Sequence, residues 1–104
     1  MILLALALAA APPRWTPTGD WRLFGVGNDS CGQWLMRKDD PAYRVSQYAW
    51  AGGFLSGINL SAGGKITDTD PASLVAYIDQ QCTQNPLEKV AGISFKFFYR
   101  ARNP

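Results

Sequence analysis

The stretch WAGGFLSGIN, residues 50–59, carries three glycines within a segment that is as apolar as a helix interior. Each glycine in a helix interior costs about 1 kcal/mol relative to alanine, so a compensating reason is needed. Between residues 48 and 58 only Ser56 is polar, which predicts a central helix that is buried on every side. Glycines in such a helix would let a neighbouring helix or the ring of Trp34 come close. The three glycines are Gly52, Gly53 and Gly57.

The spacing of Gly53 and Gly57 also matches the motif by which membrane helices dimerise. The apolar segment around them is too short for this role, because a transmembrane helix needs about 20 apolar residues. We therefore expect no membrane span. The helix is expected to end before Gly63 and Gly64, since glycine favours the backbone conformation that stops a helix.

The chain has 104 residues, which fits a single domain. A domain of this size buries only about 60–65% of its unfolded surface, so a covalent cross-link would add useful stability. The net charge of +2 and the isoelectric point near 8.7 are below the level typical of nucleic-acid-binding domains. We therefore expect no nucleic-acid partner.

Residues 2–11, ILLALALAAA, have the length and composition of the apolar region of a signal peptide. No Lys or Arg precedes this run, so an N-terminal core helix is the alternative. We interpret residues 1–11 as a signal peptide, residues 12–29 as an extended arm or small hairpin, and residues 30–102 as the helical domain. The expected location is the periplasm or the extracellular space.

Two cysteines occur in the chain, Cys31 and Cys82. The two cysteines of a small exported domain most often pair with each other, so we predict a Cys31–Cys82 disulfide. Closing this loop would stabilise the fold by about 4 kcal/mol according to the chain-entropy relation. The chain has no histidine, which argues against a metal site, a catalytic thiol and a serine triad.

Four polar residues mark helix starts, because their side chains can accept hydrogen bonds from the first N–H groups of a helix. Three of them precede a proline, which fits the first helical position since it loses no hydrogen bond there. Helices are therefore predicted to begin at Pro41, Pro71 and Pro86. A short helix is predicted after Ser30, because Ser30 and Gln33 have the spacing of a capping box. The predicted caps are Ser30, Asp40, Asp70 and Asn85.

Apolar stripes on these helices predict an all-α fold. The helices from Pro71 and Pro86 each carry one apolar face, and Cys31 and Trp34 share a face of the first helix. The expected architecture is a small orthogonal four-helix domain that is stapled by one disulfide, with an extended N-terminal arm. The stripe residues predicted to be buried include Leu35, Leu74, Val75, Ile78, Leu87, Val90, Ala91, Phe95 and Phe98.

No pattern matches a catalytic, cofactor or metal site, and an enzyme is the least expected class of protein. Gly25 and Gly27 do not continue into a dinucleotide-binding motif, and the later Gly-Gly-Lys lacks the flanking residues of a phosphate-binding loop. The acidic pairs at residues 39–40 and 68–70 are interpreted as helix caps rather than as paired carboxylates or a calcium loop. Residues 95–102, FKFFYRAR, could bind an anionic surface, but we interpret them as an amphipathic last helix.

Three segments of the chain resemble the HdeA/HdeB family of small periplasmic helical proteins. They are SCGQWL at residues 30–35, YAWAGGFLSG at residues 48–57 and IDQQCTQNP at residues 78–86. The family pattern is a cysteine followed by a hydrophobic residue and leucine, an aromatic and glycine-rich central helix, and a second cysteine before the last helix. The resemblance covers about residues 30–98.

The resemblance implies a chaperone that acts in acid by exposing apolar surface to unfolded clients, with a homodimer as one possible state. Protonation of all eight Asp and Glu residues would raise the net charge from +2 to about +10. The resulting repulsion would loosen the helix packing or a dimer. Protonated Asp40 and Asp70 would also cap their helices less well.

A similar outline is shared by the Tai-type immunity proteins, which inhibit exported peptidoglycan amidases. This alternative implies a binding protein whose loop at residues 62–70 enters the cleft of the enzyme. An envelope protein with neither role is the third possibility. The first two hypotheses imply a protein partner, either an unfolded client or an amidase, and no cofactor.

Overall fold

The architecture is all-helical in a computed structural model that describes residues 23–64, 66 and 68–102. A short 3-10 helix precedes four α-helices, and no strand occurs in this part of the chain. The prediction of an all-α, four-helix domain is confirmed. The predicted signal peptide and residues 12–22 of the predicted arm lie outside the described residues. The elements are the 3-10 helix Gly25–Asn28, α1 Cys31–Arg37, α2 Pro41–Ser61, α3 Pro71–Gln84 and α4 Val90–Arg102.

The disulfide Cys31–Cys82 is part of the core, and the predicted pairing is confirmed. The two Cα atoms are 4.8 Å apart, and both cysteines are fully buried. The bond ties the start of α1 to the last turn of α3. Fully buried side chains that pack in the same core are Trp34, Leu74, Val75, Ile78 and Val90.

Helix α3 is the central helix, since it contacts α1, α2 and α4. Its apolar residues recur every three to four positions, which places them on one face that the other helices cover. The prediction that α2 takes this central place is wrong: of its 21 residues, only Gln47 and Ala51 are buried. Helix α2 is about 31 Å long and α3 is about 21 Å long. Part of α2 therefore extends past α3, on which it packs. Leu60, near the end of α2, is 81% exposed.

Three of the predicted helix caps are present in the structure. Ser30 and Gln33 form a reciprocal capping box, in which each side chain accepts a hydrogen bond from the backbone N–H of the other, at 3.1 and 2.9 Å. The Asp40 carboxylate accepts from the backbone N–H two residues on, at 3.0 Å. The Asp70 carboxylate accepts from the N–H three residues on, at 2.7 Å. These bonds satisfy N–H groups that the helix itself leaves unpaired.

The fourth predicted cap, Asn85, is wrong. Asn85 ends α3, where its side-chain amide donates to the carbonyl of Gln81 at 3.1 Å, and α4 begins only at Val90. The turn between α3 and α4 forms tertiary hydrogen bonds instead. In one of them, the Cys31 N–H donates to the Glu88 carbonyl at 2.9 Å. Leu87 lies in this turn and is 97% exposed, contrary to its predicted place on the buried stripe.

The described part of the predicted arm is not extended. Gly25–Asn28 forms a 3-10 helix that packs against both α2 and α4. Gly25 has φ +76°, a conformation that favours glycine. Gly27 is buried against the indole of Trp50, and a Cβ atom at this position would overlap the ring. The chain therefore folds back onto the domain from residue 25 onward.

Gly27→Ala should lower the free energy of unfolding by about 1–3 kcal/mol, because the added methyl group has no space beside Trp50. Gly53→Ala is the matched control, since no atom of residues 23–64, 66 and 68–102 lies within 4 Å of a Cβ built at Gly53. This second change should raise the free energy of unfolding by about 0.5–1 kcal/mol through helix propensity. Urea unfolding followed by circular dichroism measures both values. An equal loss of stability in the two variants would contradict this difference.

Candidate functional site

Helices α2 and α4 both contact α3 and the 3-10 helix, and between them a largely apolar groove of about 840 Å³ lies open. We call it the α2–α4 groove. Phe54 and Phe95 meet edge to face near the start of its two lining segments, with ring centroids 5.3 Å apart. The described residues that line it are Leu23, Gly53, Phe54, Gly57, Ile58, Ser61, Ala62, Phe95, Phe98, Tyr99 and Arg102.

The predicted close-packing glycines give this groove its depth. Among the described residues, nothing lies within 4 Å of a Cβ atom built at Gly53 or Gly57, so the predicted close neighbour is not found in this part of the chain for either glycine. Gly52 meets only Pro71, at an ordinary van der Waals distance of 3.5 Å. The glycine that permits a close approach is Gly27, which the sequence analysis did not single out for packing. Gly53 and Gly57 instead leave two groove-lining positions of α2 without a side chain.

Three aromatic rings beside the groove contact one another in sequence. Trp50 stacks on Phe54 with ring centroids 5.1 Å apart, and Phe54 in turn meets Phe95. Gly27 also approaches the Trp50 ring closely. This end of the groove is therefore fixed by packing, as a preformed binding surface requires.

The charged residues that the structure describes on α2 and α4 are all positive. Helices α2 and α4 contain no Asp or Glu, and the only charged residue of α2 is Arg44. In α4, Lys96 pairs with Glu88 at 2.7 Å, and the Arg100 guanidinium lies 5.7 Å from the centre of the Tyr77 ring. Arg102 lines the groove itself, and no described carboxylate forms an ion pair with it.

A polar network near the N-terminal end of α2 joins three helices. The Arg44 guanidinium donates to both carboxylate oxygens of Asp79, at 3.1 and 2.6 Å. The Trp34 indole N–H donates to the same carboxylate at 2.7 Å. Gln47, which is fully buried, accepts from Arg44 at 3.0 Å and donates to the Trp34 carbonyl at 3.2 Å. The network thus fixes α1, α2 and α3 relative to one another.

Sequence reasoning missed this network, although a signal is present. Arg44 is the only charged residue of α2, and Asp79 is the only charged residue of α3. Two opposite charges in otherwise uncharged neighbouring helices are candidates for an ion pair, because a lone charge on a packed helix needs a partner. The pairing follows from the sequence once α2 and α3 are known to be neighbours.

The surroundings of two carboxylates shift their pKa values in opposite directions. Burial raises the pKa of Asp79, but the hydrogen bonds from Arg44 and Trp34 outweigh this effect, and the pKa is lowered overall. Burial also raises the pKa of Asp29, and there the nearby Arg37, at 3.7 Å, offsets it only in part. The charged form is therefore favoured at Asp79 and disfavoured at Asp29.

The structure describes residues 62–70, the loop that the immunity hypothesis requires, except for residues 65 and 67. Ile66 is buried, and its N–H donates to the side-chain carbonyl of Asn59 at 2.8 Å, which anchors the loop to the end of α2. Gly63 and Gly64 adopt φ values of +78° and +73° and end the helix as predicted. A cleft of about 410 Å³ lies between this loop and α2.

Within the described residues, no helix is both long and apolar enough to span a bilayer. The same part of the chain has no cluster of three or more side chains that could hold a metal ion. The polar side chains are used for capping and for joining helices. The α2–α4 groove is therefore the candidate functional site that we consider further.

Asp79→Asn should lower the free energy of unfolding at pH 7 by about 1–3 kcal/mol, because Arg44 loses its charged acceptor. The pKa of Asp79 is lower in the folded state than its ordinary value of 3.8. Its contribution to the free energy of unfolding is therefore present above pH 3.8 and is lost as the pH falls through the lowered pKa. The difference between wild type and variant should therefore shrink below pH 3.8. Urea unfolding between pH 7 and pH 2 measures it.

The matched control is Asp29→Asn. Burial disfavours the Asp29 carboxylate in the folded state, so replacing it by a neutral amide should change the stability at pH 7 far less. A loss of stability at Asp79→Asn that is the same at pH 7 and at pH 2 would contradict the role of the ion pair.

Comparison with known proteins identifies no relative of this chain. No family model matches it, and neither a curated protein nor a solved structure is detectably similar to it. The resemblance to the HdeA/HdeB family therefore remains a prediction that depends on three short segments. Function has to be argued from the groove and from the chemistry of its lining residues.

Proposed function

We propose that the protein is an exported, non-enzymatic binding protein that holds an apolar helical segment of another protein in the α2–α4 groove. The observation that carries this proposal is the open glycine face of α2. Gly53 and Gly57 weaken the helix, and within the described residues nothing contacts their faces. The two glycines keep the apolar groove deep. A deep apolar groove favours the binding of a segment from outside the domain.

The shape of the groove suits a helix. Two helices pack with their axes 8–10 Å apart, and small residues at the contact allow the shorter of these distances. Gly53 and Gly57 are one turn apart and face the same side of α2, so a second helix can lie close along them. From Gly53 to Ser61 the lining segment of α2 rises about 12 Å, which corresponds to slightly more than two helical turns.

The lining residues supply the binding energy. Phe54, Ile58 and Phe98 offer aromatic and aliphatic surface to leucine-like side chains spaced three and four residues apart, as in other helix-in-groove complexes. Each such side chain, when fully buried, contributes about 1.5–3 kcal/mol before the loss of freedom on association is subtracted. Two or three anchors are therefore enough for moderate affinity.

Export is supported by the disulfide, because structural disulfides persist in oxidising compartments. The signal-like residues 1–11 agree with this inference. A periplasmic or secreted location is therefore part of the proposal.

Acid-dependent chaperone action, as in the HdeA resemblance, is a second candidate function. Hydrogen bonds from Ser73 lower the pKa of Asp70, and the contacts of Asp79 lower its pKa as well. Both carboxylates therefore stabilise the fold above pH 3.8 and lose this effect as the pH falls through their lowered values. Acid would thus weaken the start of α3 and its link to α2, and so widen access to apolar surface.

Gly57→Leu should abolish or strongly weaken binding of an amphipathic peptide of three helical turns that carries leucines at helical spacing. The leucine would fill the groove, and the fold should be retained because no described residue lies within 4 Å of a Cβ atom built at Gly57. Fluorescence anisotropy of the labelled peptide measures the affinity. Ala76→Leu is the matched control, since it adds a comparable apolar side chain to an exposed position of α3 outside the groove. Equal peptide affinity in both variants, or no binding to wild type, would refute the proposed site.

The acid role is tested by a titration of the oxidised protein from pH 7 to pH 2 with far-ultraviolet circular dichroism and size-exclusion chromatography. We expect the helix packing to loosen below pH 3.8 and the aggregation of acid-unfolded citrate synthase to be suppressed there. The disulfide-reduced protein is the control and should unfold at higher pH. A protein that stays folded and monomeric at pH 2 without protecting the client would exclude this role.

A further inference from the structure

We infer that the helical segment bound in the α2–α4 groove is acidic at one end, and that its carboxylates pair with Arg102. This inference rests on the proposed function and adds the chemistry and the placement of the partner. It follows from the distribution of charge around the groove, from the contacts that other cations already make, and from the direction of α4.

The described charged residues of the helices that form the groove all carry positive charge. Neither helix that forms its walls contains an acidic residue, and Arg102 is the only charged residue among the described lining residues. The partial negative charge at the C-terminus of α4 favours a cation there, but it compensates for only about half an elementary charge. A groove of this kind attracts a carboxylate and repels a second cation.

The other cations of α4 are already engaged within the domain. Lys96 forms a 2.7 Å ion pair with Glu88, and Arg100 lies over the Tyr77 ring. Arg102 is exposed and lies on the groove. A guanidinium can bind a carboxylate through two parallel hydrogen bonds, which makes Arg102 well suited to fix the end of a bound segment.

The position of Arg102 sets the placement of the acidic end. The contact between Phe54 and Phe95 lies where the lining segments of α2 and α4 begin. Arg102 is seven residues further along α4, a rise of about 10 Å, and lines the groove together with Ser61 and Ala62 from the end of α2. The apolar anchors of the partner therefore pack against the phenylalanines, and its carboxylates lie beside the C-terminus of α4.

Charge also argues against a second copy of this chain as the occupant. A symmetric contact would bring together two faces built from α2 and α4, and neither helix has a carboxylate to offer Arg102. The chain as a whole carries a net charge of +2, so two copies repel each other weakly at long range. An acidic partner provides a carboxylate for Arg102, whereas the α2 and α4 face of a second copy does not.

The experiment compares two amphipathic peptides of three turns with the same leucine stripe, one ending in three glutamates and the other in three glutamines. We expect the glutamate peptide to bind wild type about threefold to tenfold more tightly at low salt, and the ratio to fall as salt is added. Arg102→Gln should bring the ratio close to one, and Arg102→Lys should retain part of it. Lys89→Gln removes an exposed cation outside the groove and should leave the ratio unchanged.

The outcomes separate this inference from the proposed function. Equal binding of the two peptides to wild type overturns the acidic partner and leaves the apolar groove as a binding site. Binding of neither peptide overturns both. A dimer in sedimentation velocity that Gly57→Leu dissociates assigns the groove to a second copy, and competition by a synthetic peptide of residues 12–22 assigns it to the chain itself. Either of these last results overturns the inference.

Discussion

The covalent bond between Cys31 and Cys82 is the constraint on which the rest of the fold depends. It closes a loop over a sequence separation of 51 residues, which stabilises a domain of this size by about 4 kcal/mol. It also brings the turn after α3 beside the residues that precede α1. There Val90 N–H donates to the Asp29 carbonyl at 3.0 Å, so the cross-link also determines where α4 begins.

The groove is a consequence of unequal helix lengths around this cross-linked core. Helix α3 takes the centre because both its cysteine and its apolar stripe are buried. Helix α2 is seven residues longer than α3, and no described helix covers the whole of its second half. Helix α4 and the 3-10 helix cover only part of that half. Between the described helices an apolar wall with a cation at one end remains open, and this surface is the basis of the binding function that we propose.

The features that the sequence predicts correctly are local or covalent. The capping residues Ser30, Asp40 and Asp70 act on N–H groups within three residues, and two cysteines in one small domain leave a single pairing. Most of the wrong predictions concern neighbours that are distant along the chain. The Asn85 cap is a local exception, because Asn85 ends α3 instead of starting the last helix. High hydrophobicity indicates that α2 could be buried, but burial also requires a helix long enough to cover it. In the same way, a glycine pattern indicates a close approach without identifying which element approaches, as Gly27 and Trp50 illustrate.

The three glycines of α2 have a further consequence, for the mechanics of the domain. Glycine loses more backbone freedom on folding than any other residue, and the second half of α2 gains few buried contacts to offset this loss. Local opening of this half therefore requires less free energy than opening of α3, whose stripe is fully buried. The α2 wall of the groove is therefore expected to deform more easily than the core helix, which would let the site adjust its width to side chains of different size.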